Sequence, residues 1–241
     1  MKLRILLFSL LLIPNLILAQ KPDQLTFFGI EYKPIFSSRF FTTGPQLGFE
    51  DSLSYSVTNY SGSSFGMVIR HNFYGKFSFE TGINIITRNY SLELSEDTSN
   101  FFVQDTFKLV SYEIPLLGLV YVQSGERSFI NAGGGLSVNF LPSELTSGKP
   151  ELYQQLTRRN AWVSASLLAQ LGFEYRTKES GIFYIGASYH LPFRALASSR
   201  AVRIKEGNQP RVSADLNGRF LTMSLRYFFG PSPEEKTASQ L

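Results

Sequence analysis

The chain has 241 residues, of which 15% are aromatic and 17% charged, with 22 Phe, 12 Tyr, 19 Gly and no Cys. Without cysteine, neither disulfides nor thiolate metal sites hold the fold; a charge share below the ~25% of soluble domains, with so much Phe, Tyr and Gly, points to β-structure with many tight turns. The net charge of +4, to which Lys2 and Arg4 contribute, is too small to call for nucleic acid.

Residues 1–19 read as a signal peptide: Lys2 and Arg4 are basic, Ile5 to Leu18 is apolar apart from Ser9, Pro14 and Asn15, and Ala19 supplies a small residue for cleavage. The apolar run is too short and too interrupted for a spanning helix, and no later stretch approaches the ~20 apolar residues such a helix needs.

From residue 20 onward, eight segments alternate residue by residue. The first spans about 26–36, with Glu31 and Lys33 on its polar side. In 64–73, Phe65, Met67, Ile69 and Phe73 oppose Gly66, Arg70 and Asn72. The clearest, 75–88, sets Phe77, Phe79, Ile83 and Ile85 against Ser78, Glu80, Asn84 and Arg88, with Ile86 out of pattern. The fourth, about 106–122, carries Glu113. Segments 127–140 and 162–175 follow, the second placing Gln170 and Glu174 opposite Leu171, Phe173 and Tyr175. The last two are 182–191 and 219–229, with His190 and Arg226 on their polar sides.

Alternation alone fits any half-buried sheet. Here the polar face is rich in Gly, Ser and Asn rather than Lys and Glu. The segments also reach the ~9–11 residues of a tilted bilayer-crossing strand, whereas soluble strands cluster near ~5–6. The links alternate in length: long at 37–63, 91–105, 141–160 and 192–213, short at 73–76, 123–127 and 176–181. Short turns on the periplasmic side and long loops outside are the habit of outer-membrane barrels. Phe73, Tyr74, Phe77, Tyr121, Phe129, Phe173, Tyr175, Phe183, Tyr227 and Phe229 gather at the short turns, as an interfacial girdle would. The expected fold is an all-β, eight-stranded antiparallel up-and-down transmembrane barrel over 20–229, both termini periplasmic, with a disordered periplasmic tail at 230–241.

A lipid-facing Arg or Lys at mid-depth costs ~2–4 kcal/mol, so parity assigns Glu31, Lys33, Arg70, Glu80, Arg88, Glu113, Glu174 and Arg226 to the lumen. A turn symmetric about Gly75 places Arg70 opposite Glu80; Glu31 and Arg226 meet when the barrel closes; Arg88 and Glu113 sit higher. Eight strands leave a lumen just wide enough for side chains, so this network is expected to plug the barrel. The third and fourth long loops are basic, with Arg194, Arg200, Arg203, Lys205 and Arg211 as candidate anion-binding residues, and the first two acidic, with Glu50, Asp51, Glu93, Glu96, Asp97 and Asp105.

The segment Tyr112-Glu113-Ile114-Pro115-Leu116-Leu117-Gly118-Leu119-Val120-Tyr121 resembles the Y-x-E-I-P-L-L strand of the PorT-like outer-membrane β-barrel family, a porin family, and Phe129-Ile130-Asn131-Ala132-Gly133-Gly134-Gly135 is similar to its next, Gly-rich strand. The resemblance implies an eight-stranded barrel, with secretion or surface assembly as the role of some members. Thr222, Ser224, Tyr227 and Phe229 also resemble the terminal signal read by the barrel-assembly machinery, although twelve residues follow Phe229.

There is no Gly-rich phosphate loop, no metal-spaced His/Cys set and no nucleophile elbow, so no cofactor, metal or catalytic residue is expected. The leading expectation is a non-enzymatic outer-membrane barrel of a Gram-negative bacterium. Its partners would be membrane lipid, lipopolysaccharide, the assembly machinery and a surface polymer or secretion component. The alternatives are a lipid-A-modifying enzyme using Ser188, His190 and Glu113, and a narrow channel.

Overall fold

The computed structural model describes residues 26–36, 44–50, 52–73, 76–142, 144–178, 180–205 and 209–230. The leader, Asp51 of the first long link, Tyr74 and Gly75 at the first short turn, and the tail from 231 lie outside these residues.

The described chain is all-β and antiparallel. Its strands are β1 (Thr26–Phe36), β2 (Gln46–Glu50), β3 (Leu53–Asn72), β4 (Phe77–Glu96), β5 (Phe101–Gln123), β6 (Ser128–Phe140), β7 (Leu145–Lys149), β8 (Tyr153–Arg159), β9 (Val163–Arg176), β10 (Ile182–Pro192), β11 (Ala197–Arg203), β12 (Arg211–Leu216) and β13 (Phe220–Phe228). No described helix is long and apolar enough to cross a membrane. Neighbours pair in the order β1-β13-β10-β9-β6-β5-β4-β3, and β1 also pairs with β3, so the pairings return to their start. β1 and β13 close that circle with Glu31 opposite Arg226 and Gly29 opposite Phe228. Thr26, where the described chain begins, is level with His71 beside the first short turn.

The polarity of this wall is inverted. Along β1, exposed and buried residues alternate strictly; Phe28 is 60% exposed while Glu31 is 2%. Phe65, Met67, Ile83, Ile85, Leu171, Phe173, Ile185 and Leu225 are likewise exposed, and Arg70, Glu80, Asn84 and Glu174 are buried. A sheet in water would exchange these two sets, because burying ionised groups and wetting aliphatic ones both cost free energy.

Above the wall, at the end opposite the short turns, the polarity returns to normal. On β4 every second residue points inward, yet Ser78, Glu80, Asn84 and Arg88 give way to Tyr90, Leu92 and Leu94 as the strand climbs. On β3 an irregularity between Asn59 and Ser61 shifts the pairing, so Leu53, Tyr55 and Val57 point inward although the outward residues below, Phe65 and Met67, share their odd numbering.

The segments expected as long loops are therefore largely ordered. β2 and the upper half of β3 occupy 46–60, the 91–105 link shrinks to a turn at 97–100, and β7, β8, β11 and β12 form a second sheet ordered β12-β11-β8-β7. Their own alternation explains this. Val212, Ala214 and Leu216 face inward from β12 and join Tyr55, Leu92, Leu94, Val103, Phe107, Leu109 and Tyr153 in one apolar core. Gly48 of β2 lies so close to β12 that a Cβ there would meet the Ser213 carbonyl oxygen at 2.3 Å.

Two girdle assignments are corrected. Phe73, Phe77, Phe173, Tyr175, Phe183 and Phe229 are exposed near the short turns, but Tyr121 and Phe129 are buried. They share the parity of Glu113 and Asn131, so the pleat turns them inward.

Candidate functional site

All eight charged residues assigned to the interior are buried, and seven side chains form an unbroken ladder of alternating sign. Lys33 Nζ lies 2.7 Å from Glu31, whose other oxygen accepts from Arg226 Nε at 2.7 Å. Arg226 Nη1 donates to Glu80 at 2.7 Å, and Glu80 accepts from Arg70 Nε at 2.7 Å. Arg70 Nη1 donates to Glu174 at 2.5 Å, and Arg176 Nε reaches the other oxygen of Glu174 at 2.8 Å. Strand register produces two of these contacts directly, since Arg70 is opposite Glu80 and Glu31 opposite Arg226. Gln170 adds a cross-link, accepting from Arg226 Nη2 at 2.9 Å. Charge-assisted pairs of this kind offset the desolvation of their members only when each charge finds a partner.

Arg88 and Glu113 do not pair with each other. Arg88 Nη1 donates to Ser111 Oγ at 2.7 Å and its guanidinium lies 4.7 Å from the Phe220 ring centre. Glu113 instead meets His190 Nδ1 at 3.1 Å and Asn84 Nδ2 at 3.5 Å. His190 stacks on Phe220 at 4.1 Å. The register explains the difference: β4 sets Glu113 opposite Asn84 and Arg88 opposite Leu109, about 13 Å further along the strand.

At the short-turn end the interior closes on aromatic rings. Phe27, Val68, Ile182, Tyr184 and Phe228 make one cluster, and Leu119, Tyr121 and Phe129 another. The ladder's arginines cap both: Arg70 lies 4.0 Å from the Phe228 ring centre and Arg176 3.8 Å from that of Phe129. Tyr184 lies across Gly172 and Gly186, where a Cβ would come within 2.3 Å of its hydroxyl. The cavity beside Lys33, Glu80, Gln170, His190 and Arg226 measures about 10 Å³, room for roughly one water.

Ser188, His190 and Glu113 do not form a hydrolase relay. Ser188 Oγ is 3.0 Å from Ser224 Oγ, and no hydrogen bond joins it to His190 among the described residues. No group of acidic or His side chains there is arranged to hold a metal.

The five candidate anion-binding residues fall at three places. Arg203 is bound to Glu96 and lies 4.0 Å from the Phe101 ring centre, with Lys205 3.9 Å from the same carboxylate. The basic fourth loop thus neutralises part of the acidic second. Arg200 and Arg211 are exposed on the outward face of β11 and β12. Arg194 donates Nη2 to the Val163 carbonyl at 2.8 Å where β9 begins.

Within the upper core, Tyr55, Ser199, Gln155 and Thr157 satisfy one another, with Tyr55 Oη 2.7 Å from Ser199 Oγ and Gln155 Nε2 donating to Ser199 at 2.8 Å. Burial pushes the Tyr55 hydroxyl up to about 12. Tyr153 Oη donates to Asp105 at 2.6 Å; that hydrogen bond holds the Asp105 carboxyl below its ordinary value.

Sequence reasoning missed Arg176 and Gln170 as members of these networks and grouped His190 with Glu113 only as part of an enzyme site. Gln170 and His190 already stood on polar faces; Arg176 was hidden at a turn boundary.

No protein-family profile and no curated protein matches the sequence. Among solved structures, the chain is similar to the outer membrane protein OprG from Pseudomonas aeruginosa, with a TM-score of 0.55 and 15% identity over 85% of this chain and 96% of that one. The translocator domain of the autotransporter NalP from Neisseria meningitidis aligns at a TM-score of 0.33 and 11% identity, covering 90% of this chain and 92% of that one. The likeness to OprG shows that the fold is that of an outer-membrane β-barrel.

Proposed function

We propose that the chain is an eight-stranded barrel of a Gram-negative outer membrane, with both termini periplasmic, its lumen plugged and its long-strand end folded into an extracellular cap. It acts without catalysis, presenting the cap for surface structure, binding or secretion-related assembly. The observation that carries the reading is the inverted wall: aliphatic and aromatic side chains face outward and an ion-pair ladder fills the interior, an arrangement favourable only where hydrocarbon replaces water outside. Polarity reverts to normal above Arg88, which supports a bilayer boundary near that level. β13, with Thr222 and Ser224 inside and Phe229 outside, is the strand the barrel-assembly machinery would read. The Tyr112–Tyr121 segment supports placing the chain among PorT-like barrels.

The test is gel mobility after detergent extraction from outer membranes. An unheated sample is expected to migrate differently from a boiled one, because an intact barrel resists the denaturing detergent. A chain that stays monomeric in detergent-free buffer, with mobility unchanged by heating, refutes the reading.

A further inference from the structure

Where the wall passes into the cap, two linkers lie side by side. Arg159-Asn160-Ala161-Trp162 joins β8 to β9, and Phe193-Arg194-Ala195-Leu196 joins β10 to β11. Asn160 laces them: its backbone N–H donates to the Leu196 carbonyl at 3.1 Å and its Nδ2 to the Ala195 carbonyl at 3.1 Å. Each linker carries one large exposed aromatic residue, Trp162 at 61% and Phe193 at 64%, and one arginine anchored to a backbone carbonyl. Arg159 Nη1 donates to Pro142 O at 3.0 Å while its guanidinium lies 4.0 Å from the Trp162 ring centre. Arg194 Nη2 donates to Val163 O at 2.8 Å.

The depth of these residues follows from strand geometry. Tyr175 and Phe183 face each other at the short-turn end and both are exposed. Climbing from Tyr175 to Trp162 at ~3.3 Å per residue and ~40° tilt covers about 33 Å, and from Phe183 to Phe193 about 25 Å. Against a hydrocarbon layer of ~25–30 Å, Phe193 comes at its edge and Trp162 a few Å beyond, within the headgroup layer. Trp162 and Phe193 therefore stand at the opposite interface, where amphipathic rings settle at headgroup level. The two guanidiniums are held at that depth with one of their five N–H donors each engaged by a carbonyl. A guanidinium fixed by a carbonyl, and for Arg159 also set over the Trp162 ring, loses little further freedom when it binds an anion, and its remaining donors suit two oxygens of one phosphate.

We propose that Arg159, Arg194, Trp162 and Phe193 form a site for a phosphate-monoester lipid of the surrounding leaflet, its headgroup on the arginines and its acyl chains against the two rings. The proposal rests on the membrane-barrel reading. It differs from a basic rim on the cap, because Arg200 stands opposite Leu156 and Arg211 opposite Val202, further along the cap strands than Arg159 opposite Ala197, and they play no part.

Trp162 is the only tryptophan in the chain, so its fluorescence reports this site alone. The full chain is refolded into phosphatidylcholine vesicles in which a small fraction of lipid is replaced by phosphatidic acid or phosphatidylcholine with brominated acyl chains. Brominated phosphatidic acid is expected to quench Trp162 several-fold more than brominated phosphatidylcholine at equal fraction. Arg159→Gln with Arg194→Gln is expected to abolish the difference, and Arg200→Gln with Arg211→Gln to leave it intact. If the first double variant does not refold, as read by heat-dependent mobility, each single variant is expected to lower the difference. Equal quenching by the two lipids in the unaltered chain, or a difference that survives loss of Arg159 and Arg194, overturns the proposal. So does its removal by inorganic phosphate at the concentration of the acidic lipid, which would make the ligand free phosphate. No quenching by either lipid means that the chain is not inserted, and defeats the membrane reading as well.

Discussion

At Arg70 three interactions converge: Glu80, Glu174 and the Phe228 ring all hold one fully buried guanidinium. Removing one member of a buried pair leaves its partners charged and dry, which costs about 3–5 kcal/mol. Arg70→Ala is therefore expected to lower the urea midpoint of the folded barrel in lipid, whereas Arg200→Ala, an exposed change, stays within about 0.5 kcal/mol of the parent. Equal stability of the two variants would show that the ladder contributes nothing. Asp105 titrates in the cap. Its folded value is lowered, so its contribution is present above the ordinary carboxylate value of about 3.9 and is lost as pH falls through the lowered folded value. Hydrogen exchange of β7 and β8 is expected to quicken in that acid window. Tyr153→Phe should flatten the response, since the hydrogen bond from Tyr153 is the largest cause of the shift.

Among the elements, β4 and β5 are the most instructive, because each runs through both environments. Their lower halves present apolar side chains outward, β5 adding Leu117, Leu119 and Tyr121 inside, and their upper halves turn their apolar side chains mainly inward, with no break in pairing between the two strands' upper parts. The cap is therefore stabilised by ordinary hydrophobic burial, and the wall by its ladder and by the medium outside it. Leu216, 1% exposed in the cap core, separates the two. Leu216→Ala is expected to cost about 2–5 kcal/mol, felt in the cap. Limited proteolysis should then cut within 141–216 more rapidly while the heat-dependent mobility of the wall persists. Simultaneous loss of both would mean that cap and wall unfold as one unit.

At the scale of the whole molecule, the interior is obstructed twice, by the ladder with its single-water cavity and by the aromatic clusters at the short-turn end. An ion crossing it would have to displace paired charges, so planar-bilayer recordings of the refolded chain are expected to show no conductance steps. Steady single-channel openings would instead assign the ladder to a pore lining. At the opposite end the cap has an apolar core of its own.

Much of this was legible along the chain because a strand's period of two is a local property. Parity alone separated Phe65 and Ile83 from Arg70 and Glu80, named the eight interior charges, and already placed Tyr121 and Phe129 inward had it been applied to them. Likewise, the first long link contained the Leu53-Tyr55-Val57 alternation and the fourth ran into Val212-Ala214-Leu216, which together build the cap. The pairing of the charges was legible only in part. Arg70 with Glu80 and Glu31 with Arg226 follow from one short turn and from closure, but Arg226 also takes Glu80, 146 positions away, Arg70 takes Glu174, 104 positions away, and Glu113 takes His190, 77 positions away. Alternation states which face a side chain occupies, but the height at which two distant faces meet depends on the stagger of every intervening strand and on closure between β1, β3 and β13. Polarity and the pairs set by one turn or by closure were thus determined by the sequence itself, and the remaining partnerships by the tertiary structure.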